Sequence, residues 1–176
     1  MSTDNEIVLS KREFIFGRKA PVEQTITPPW ANHIHQNCTQ CGDCLDACPE
    51  NLLMFDALNF PMVDFNLGEC TFCGECVDAC NDDVFLDRTD PMITPWDLNV
   101  SVSKQCLLKS KVYCRSCGDA CPESAIKFKL ELASVTYINI DHELCSGCGA
   151  CVASCPKGAV SIQRSIRDSH KQKELI

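Results

Sequence analysis

The sequence predicts an α+β protein built from two tandem halves, each with short helices and small antiparallel sheets. Three observations favour this fold class. Sixteen of the 176 residues are cysteine, a fraction at which cysteine chemistry, and not an apolar core alone, dictates the fold. These cysteines fall into four runs of similar spacing. A short apolar segment follows each run, and such repetition predicts a structure assembled from repeated units.

The spacing of the cysteines predicts iron–sulfur clusters. Three runs read C-x2-C-x2-C-x3-C, and the third run in chain order is stretched to C-x7-C-x2-C-x3-C. This is the bacterial ferredoxin pattern, in which three cysteines of a run hold one 4Fe–4S cluster and the fourth ligates the neighbouring cluster. No cysteine is left over, so we expect four 4Fe–4S clusters. The predicted iron ligands are Cys38, Cys41, Cys44, Cys48, Cys70, Cys73, Cys76, Cys80, Cys106, Cys114, Cys117, Cys121, Cys145, Cys148, Cys151 and Cys155.

Zinc and disulfide bonds are the alternative uses of so many cysteines. Structural zinc sites use two separated pairs of cysteines per ion, whereas these runs place more thiolates together than one tetrahedral ion accepts. A disulfide scaffold needs an oxidising compartment and normally a secretory signal. Residues 10–15 resemble a twin-arginine export motif, but no hydrophobic region of about seven or more residues follows them. We therefore expect a cytoplasmic protein with reduced, metal-binding thiols.

Glycine and proline residues in the runs predict their local geometry. Glycines inside the loops suit positive φ angles, and a proline after the fourth cysteine suits the first turn of a short helix that begins there. The glycines are Gly42, Gly74, Gly118, Gly147 and Gly149, and the prolines are Pro49, Pro122 and Pro156.

Apolar segments between the runs predict the strands and the domain boundaries. Such segments follow the runs at 51–55, 84–86, 125–128 and 159–162, and alternating segments precede two runs at 61–65 and 135–141. Two units make one two-cluster ferredoxin domain. The expected organisation is an N-terminal basic and apolar segment over 1–30, a first dicluster domain over 31–90, a linker over 91–104, a second dicluster domain over 105–165 and a basic tail over 166–176.

Two features of the clusters stay open in the sequence. Gap lengths favour pairing run one with run two and run three with run four, although multi-cluster subunits can pair the outer and the inner runs instead. Sequential pairing would exchange Cys48 with Cys80, and Cys121 with Cys155. Cys106 stands eight positions before Cys114, so it is either a ligand brought in by a loop that closes easily or merely a buried thiol.

Charge is unevenly distributed along the chain. The net charge of −8 argues against a nucleic-acid binder. Residues 38–90 hold twelve acidic residues and one basic residue, which gives −11, and the remainder therefore carries +3. The acidic half is either a solvated face or a docking surface that steers towards a basic partner. No run of about eighteen apolar residues exists, so no membrane span is expected.

No catalytic constellation is present in the sequence. His33, His35 and His142 lie near cysteine runs, but the predicted clusters already have four thiolates each. Trp30 and Trp96 are expected to be packing residues. No glycine-rich phosphate loop or nucleotide fingerprint occurs. The sequence therefore predicts an electron-transfer or accessory protein and not an enzyme.

Several motifs, some inside the cysteine runs and some outside them, are similar to those of one family. They are Ser10-Lys11-Arg12, Pro28-Pro29-Trp30, Cys70-Thr71-Phe72-Cys73, Trp96-Asp97-Leu98 and the stretched run from Cys106 to Cys121. In these motifs the chain resembles the NapF family, four-cluster ferredoxin-type proteins encoded with bacterial periplasmic nitrate reductases. The resemblance covers nearly the whole chain, and it implies that Cys106 is a ligand.

The resemblance also implies a partner and a compartment. It implies a soluble cytoplasmic protein that contacts the catalytic molybdenum subunit of periplasmic nitrate reductase before export. There it would assemble or reduce that subunit's own 4Fe–4S centre. The alternative is a general electron-transfer subunit that links a reductase to a terminal oxidoreductase, with other redox proteins as partners. The sequence gives no oligomeric state.

Overall fold

The computed structural model of the chain describes residues 25–131 and 135–164. Its helices are α1 (Ile34–Asn37), α2 (Asp43–Asp46), α3 (Glu75–Asp78), α4 (Ser116–Asp119) and α5 (Ala150–Ala153), with a 3₁₀ helix at Leu107–Ser110. Its strands are β1 (Leu53–Phe55), β2 (Pro61–Val63), β3 (Leu98–Val102), β4 (Ile126–Glu131), β5 (Val135–Ile140) and β6 (Val160–Arg164). The expected basic tail and most of the expected N-terminal segment lie outside the described residues.

The strands form three small antiparallel sheets of two strands each. β1 pairs with β2, and β4 pairs with β5. In the third sheet β3 pairs with β6, so that Val100 lies opposite Ile162. Short helices and small antiparallel sheets agree with the expected fold. Within the described ranges, no helix is long and apolar enough to cross a membrane.

Strand β3 lies inside the stretch that the sequence analysis assigns to a linker. The segment 98–102 alternates apolar and polar residues, and Val100 is buried at its centre. β3 closes the second half by pairing with the last strand, β6. The prolines at 91 and 95 precede this strand and do not interrupt it, so ordered structure of the second half begins before residue 105.

The short helices lie inside the cysteine runs and not after them, which corrects the expected placement. Each of α2 to α5 surrounds the third cysteine of its run, and the fourth cysteine follows the helix end. In α2 the helix begins directly after Gly42, whose φ is 91°. It ends at Asp46, two residues before Cys48, and α3 ends at the equivalent residue although Asn81, and not proline, follows Cys80. Pro49, Pro122 and Pro156 instead lie in turns.

The core of the first half includes residues from both ends of the described chain. Ile26, Leu52, Val63 and Phe65 are buried together, and partly buried side chains from the second half pack against them. These contributed side chains are Leu98, Val152 and Ile162. The amide of Val63 donates a hydrogen bond to the carbonyl of Ile26 at 2.8 Å. Residues 25–30, expected to precede the first domain, are therefore packed into it.

Four aromatic side chains connect these parts of the core. Trp30 meets Phe72 edge to face, Phe72 meets Trp96, and Trp96 meets Phe65, with ring centroids 5.5 to 6.4 Å apart. The indole N–H of Trp96 donates to the carbonyl of Thr27 at 3.0 Å. Both tryptophans thus act as packing residues, as the sequence predicts, since edge-to-face aromatic pairs add to the stabilisation from buried area.

Candidate metal centres

The structure gathers the sixteen cysteines into four sets of four. Two of the sets, called set one and set two, each line a pocket. Each of them combines three cysteines of one run with the fourth cysteine of the neighbouring run. Set three lines a third pocket. The thiols of set four act on one another electrostatically. Set one is Cys38, Cys41, Cys44 and Cys80; set two is Cys48, Cys70, Cys73 and Cys76; set three is Cys106, Cys114, Cys117 and Cys155; set four is Cys121, Cys145, Cys148 and Cys151.

This grouping is the sequential pairing of the runs. Runs one and two exchange their fourth cysteines, and so do runs three and four. Helix α2 contacts α3, and α4 contacts α5, because each pair carries the third cysteines of two paired runs. Cys44 and Cys76 are close enough to interact electrostatically, and so are Cys117 and Cys151. Two neighbouring sets therefore lie in each half of the protein.

Burial of the cysteines follows their position in the run. The third cysteine of every run is buried: Cys44, Cys76, Cys117 and Cys151. The second cysteine of runs one and two, Cys41 and Cys73, is exposed. Each of these two runs thus places one sulfur in the protein core and one at the surface, so that a group held by the run is partly shielded and partly accessible.

The buried thiols strongly prefer to stay protonated without metal. Burial raises the pKa of Cys44 to about 11 and the pKa of Cys76 and Cys151 to about 12, and repulsion from neighbouring cysteines of the same set adds to this. A thiolate there needs a compensating positive charge. Iron binding supplies that charge and displaces the protons, so cluster binding and folding are coupled in such a site.

A single zinc ion and a 4Fe–4S cubane require different spacings between four sulfurs. Four thiolates on one tetrahedral zinc would lie about 3.8 Å apart, because each Zn–S bond is about 2.3 Å. Within residues 25–131 and 135–164, no three His, Cys, Asp or Glu side chains meet closely enough to hold one metal ion. A cubane carries its four thiolates at the outer corners of a larger core, so it does not require the sulfurs to meet around one ion.

Backbone amides donate to the sulfurs at an equivalent position in three runs. The amides of Gln40 and Phe72 each donate to the sulfur two residues before, Cys38 or Cys70, at 3.4 Å. Gly147 stands in the same position in run four. Burial raises the pKa of Cys145, and a backbone hydrogen bond from Gly147 partly opposes that rise. Hydrogen bonds of this kind tune the reduction potential of an iron–sulfur cluster.

The positive φ angle at this position explains why the sequence analysis missed two of the three residues. Gly147 has a φ of 77°, and Gln40 and Phe72 have φ angles of 63° and 56° although neither is glycine. Such angles are uncommon for residues with a side chain. The signal that could have found Gln40 and Phe72 is their offset of two residues from the first cysteine, which they share with Gly147.

Replacing Gln40 should reveal the strain at this position. We expect the Gln40→Gly variant to be more stable than Gln40→Ala by about 1 kcal/mol, because only glycine adopts a positive φ without cost. Both variants keep the amide and lose the hydrogen bond from the Gln40 side chain to the carbonyl of Leu58. The measurement is the thermal midpoint of the anaerobic protein, with a difference of about 2–4 °C between the variants. Equal midpoints would contradict the assigned strain.

Gly118 has a different role from the other loop glycines. It lies within α4, and not at a positive φ as the sequence analysis expects. A Cβ at this position would lie 2.3 Å from the ring of Phe128 and 3.2 Å from the carbonyl oxygen of Ile126. Close packing of β4 against the helix therefore requires glycine here. The helix begins after Arg115, whose φ is −132°, so run three enters its helix without a left-handed residue.

The insertion in run three folds into a compact turn that carries Cys106 to the other cysteines. The amides of Lys109 and Ser110 donate to the carbonyl of Cys106, and Lys111, directly after the 3₁₀ helix, has a φ of 61°. Cys106 is buried and lines the same pocket as Cys114 and the rest of set three. The structure thus places Cys106 where a fourth ligand would stand.

The histidines near the runs make other contacts. The Nδ1 atom of His33 lies 3.1 Å from the side-chain oxygen of Gln36, and the His35 ring meets Phe60 edge to face at 4.7 Å. His142 is exposed. None of these three histidines lines the pockets of sets one, two or three.

Comparisons with known proteins agree with this geometry. The 4Fe-4S dicluster domain family matches the chain twice, at residues 37–84 and 112–159. The ferredoxin-type protein NapF of Haemophilus influenzae is 44% identical over 140 residues, which is 78% of each chain. The NapF of Escherichia coli strain K12 is 36% identical over 161 residues, which is 90% of this chain and 96% of that protein. One component of an ion-translocating oxidoreductase complex from Methanosarcina acetivorans is 31% identical over 90% of this chain and 65% of that component.

Two matched dicluster domains and four sets of cysteines define a ferredoxin-type iron–sulfur protein. The expected presence of two dicluster ferredoxin domains is confirmed by the two matches. Because the NapF relatives align with most of the chain, the chain belongs to the NapF family of ferredoxin-type proteins. The second matched segment begins after Cys106, so the dicluster match itself does not include this cysteine.

Proposed function

We propose that the chain carries four 4Fe–4S clusters and serves the catalytic molybdenum subunit of periplasmic nitrate reductase in the cytoplasm, before that subunit is exported. It would act in the assembly of the subunit or supply electrons to it. The observation that carries this proposal is the grouping of all sixteen cysteines into four sets, each with a buried and at least one more accessible thiol. When bound, the clusters would accept and release single electrons.

The residues of this chain would bind and tune those clusters. The sixteen cysteines supply the ligands, and the amides of Gln40, Phe72 and Gly147 stabilise the negative charge on the first sulfur of their runs. Cys44, the buried thiol of set one, lies in a pocket that is also lined by the buried side chain of Val84. No group for acid–base or nucleophilic chemistry is required of such a protein.

The surface next to set one supports docking of a redox partner. Cys41 is exposed there, and Met54, Phe55 and Leu58 are exposed apolar side chains. The side chain of Gln40, beside Cys41, donates to the carbonyl of Leu58, which fixes this loop beside the cysteines. Residues 38–90 carry a net charge of −11, so a partner with a basic and apolar face would fit this half.

Iron counting and partner capture test the proposal separately. Anaerobically purified protein should contain about sixteen irons and a matching amount of sulfide, and its reduced form should give EPR signals of 4Fe–4S clusters. About eight irons would overturn the four-cluster proposal. The tagged holoprotein should then capture the unexported catalytic subunit of the nitrate reductase, and capture should weaken as salt is raised.

General electron transfer is the second candidate function. The similarity to a component of an ion-translocating oxidoreductase complex favours it. If the holoprotein reduces or oxidises other redox enzymes at comparable rates and does not retain the unexported nitrate reductase subunit, this second function is correct. Both functions use the same clusters, so iron content does not distinguish them.

A further inference from the structure

The two halves of the protein meet where set two lies beside set four. The amide of Cys70 donates a hydrogen bond to the carbonyl of Cys148 at 2.8 Å. Cys70 belongs to set two and Cys148 to set four, so this bond joins ligand loops of different halves. Cys148 is partly buried, although the corresponding cysteines of runs one and two, Cys41 and Cys73, are exposed.

Contact between Phe65 and Gly149 allows the two halves to approach this closely. Phe65, just after β2, is buried. A Cβ built at position 149 would lie 1.9 Å from Cδ1 of Phe65, and Gly149 also has a φ of 89°. A side chain at 149 would therefore push the phenylalanine, and the loop that carries it, away from run four. Val152 of α5 and Ile162 of β6 complete the contact by packing against the core of the first half.

We propose that the Cys70–Cys148 contact is the crossing point for electrons between the two halves, and that Gly149 is the positioning residue that lets Phe65 seat run four against run two. The four sets then form one continuous series in the order one, two, four, three. Within each half the neighbouring sets are joined by the α2–α3 and α4–α5 contacts. Sets one and three are therefore the two ends of the series, and the junction between sets two and four lies in its middle.

The proposal rests on the proposed four-cluster cofactor content, and its chemistry is simple. One electron from a reduced redox partner, or from dithionite in the experiment, enters at one set. Each transfer oxidises the donor set by one electron and reduces the acceptor set by one electron. No covalent bond forms or breaks, and no proton is transferred. The protein's task is to keep the neighbouring sets at short distance, which is what the hydrogen bond and the glycine contact do.

The test compares Gly149→Ala with Gly158→Ala in anaerobically purified holoprotein. Gly158 also has a positive φ, of 54°, but nothing lies within 4 Å of the position that a Cβ would take there, so its replacement adds backbone strain without a collision. We expect magnetic broadening in the EPR spectrum of the dithionite-reduced protein to decrease in Gly149→Ala and to stay unchanged in Gly158→Ala. Hydrogen exchange of the peptide that contains the Cys70 amide should become at least about tenfold faster only in Gly149→Ala, because its acceptor is on the other half.

The outcomes separate the junction from the cofactor content. If Gly149→Ala keeps full iron and the wild-type broadening and exchange, the proposed junction is wrong. If the wild-type protein itself holds too little iron, the four-cluster proposal fails instead. Should Gly149→Ala not fold, exchange in the wild type still decides: rapid exchange of the Cys70 amide in the iron-replete protein would overturn the junction, and slow exchange would support it.

Discussion

Replacing Cys106 with alanine is expected to lower the iron content from about sixteen to between about twelve and fifteen per chain, because one cluster loses a ligand and releases one iron or all four. Cys106 is buried, lines the pocket of set three and contributes to the raised pKa of Cys117, after the larger effect of burial. It also lies in a small core with Leu108 and Ala159. The loss should appear in anaerobic iron and sulfide analysis and as a 3Fe signal or a missing signal in EPR.

Two variants sharpen this experiment. Leu108→Ala truncates a neighbouring side chain of the same small core without removing a sulfur, so it controls for damaged packing and should keep about sixteen irons. Cys106→Ser offers an oxygen in place of the sulfur and should retain more iron than Cys106→Ala. If Cys106→Ala keeps about sixteen irons, Cys106 is a core residue and set three has three protein ligands. If Leu108→Ala loses as much iron as Cys106→Ala, the loss reports damaged packing and not a lost ligand.

Removal of the iron is expected to unfold both halves. Nineteen apolar side chains form the buried core of the described residues, and five of these are cysteines. The cysteines link the core clusters to the pockets, since Cys117 and Cys151 belong to the largest cluster and Cys106 to another. Without iron these positions hold protonated thiols around unfilled space, and small metal-dependent domains are commonly unfolded in that state.

Chelation under acid or oxidising conditions, followed by circular dichroism and hydrogen exchange, would measure this effect. We expect loss of the β-sheet signal together with the iron, and recovery of both on anaerobic reconstitution with iron and sulfide. Acid should speed iron loss, because protons compete for thiols whose pKa values lie far above neutrality. A chain that keeps its sheet signal and exchange protection after complete iron removal would contradict this expectation.

The proximity of the first three cysteines in each regular run could be predicted from the sequence because their geometry is local. Three cysteines within seven residues lie in one short loop and can bind only a single metal centre together. The four runs leave no cysteine unassigned. The grouping of the fourth cysteines does not follow from the sequence in the same way, since gap lengths do not show which runs are neighbours in space. That grouping depends on the contacts of α2 with α3 and of α4 with α5, which no spacing encodes.

Other features were missed for identifiable physical reasons. The alternation in 98–102 was a strand signal, but the nearby prolines at 91 and 95 favoured a linker. Gln40 and Phe72 carry side chains at positive φ, so a search for glycine could not find them. The contact between Phe65 and Gly149 joins residues far apart in the chain, and only the folded structure shows which surfaces meet.

Side chains from the second half complete the core of the first half, and this has a consequence for biosynthesis. Leu98, Val152 and Ile162 belong to the core of the first half, and all three follow its last cysteine, Cys80, in the chain. While the ribosome is still translating the second half, the first half has its cysteines but lacks part of its packing. We therefore expect iron to be held stably in the first half only after β6 has been synthesised, and we expect chains truncated before that strand to be poor in iron and readily cleaved by proteases.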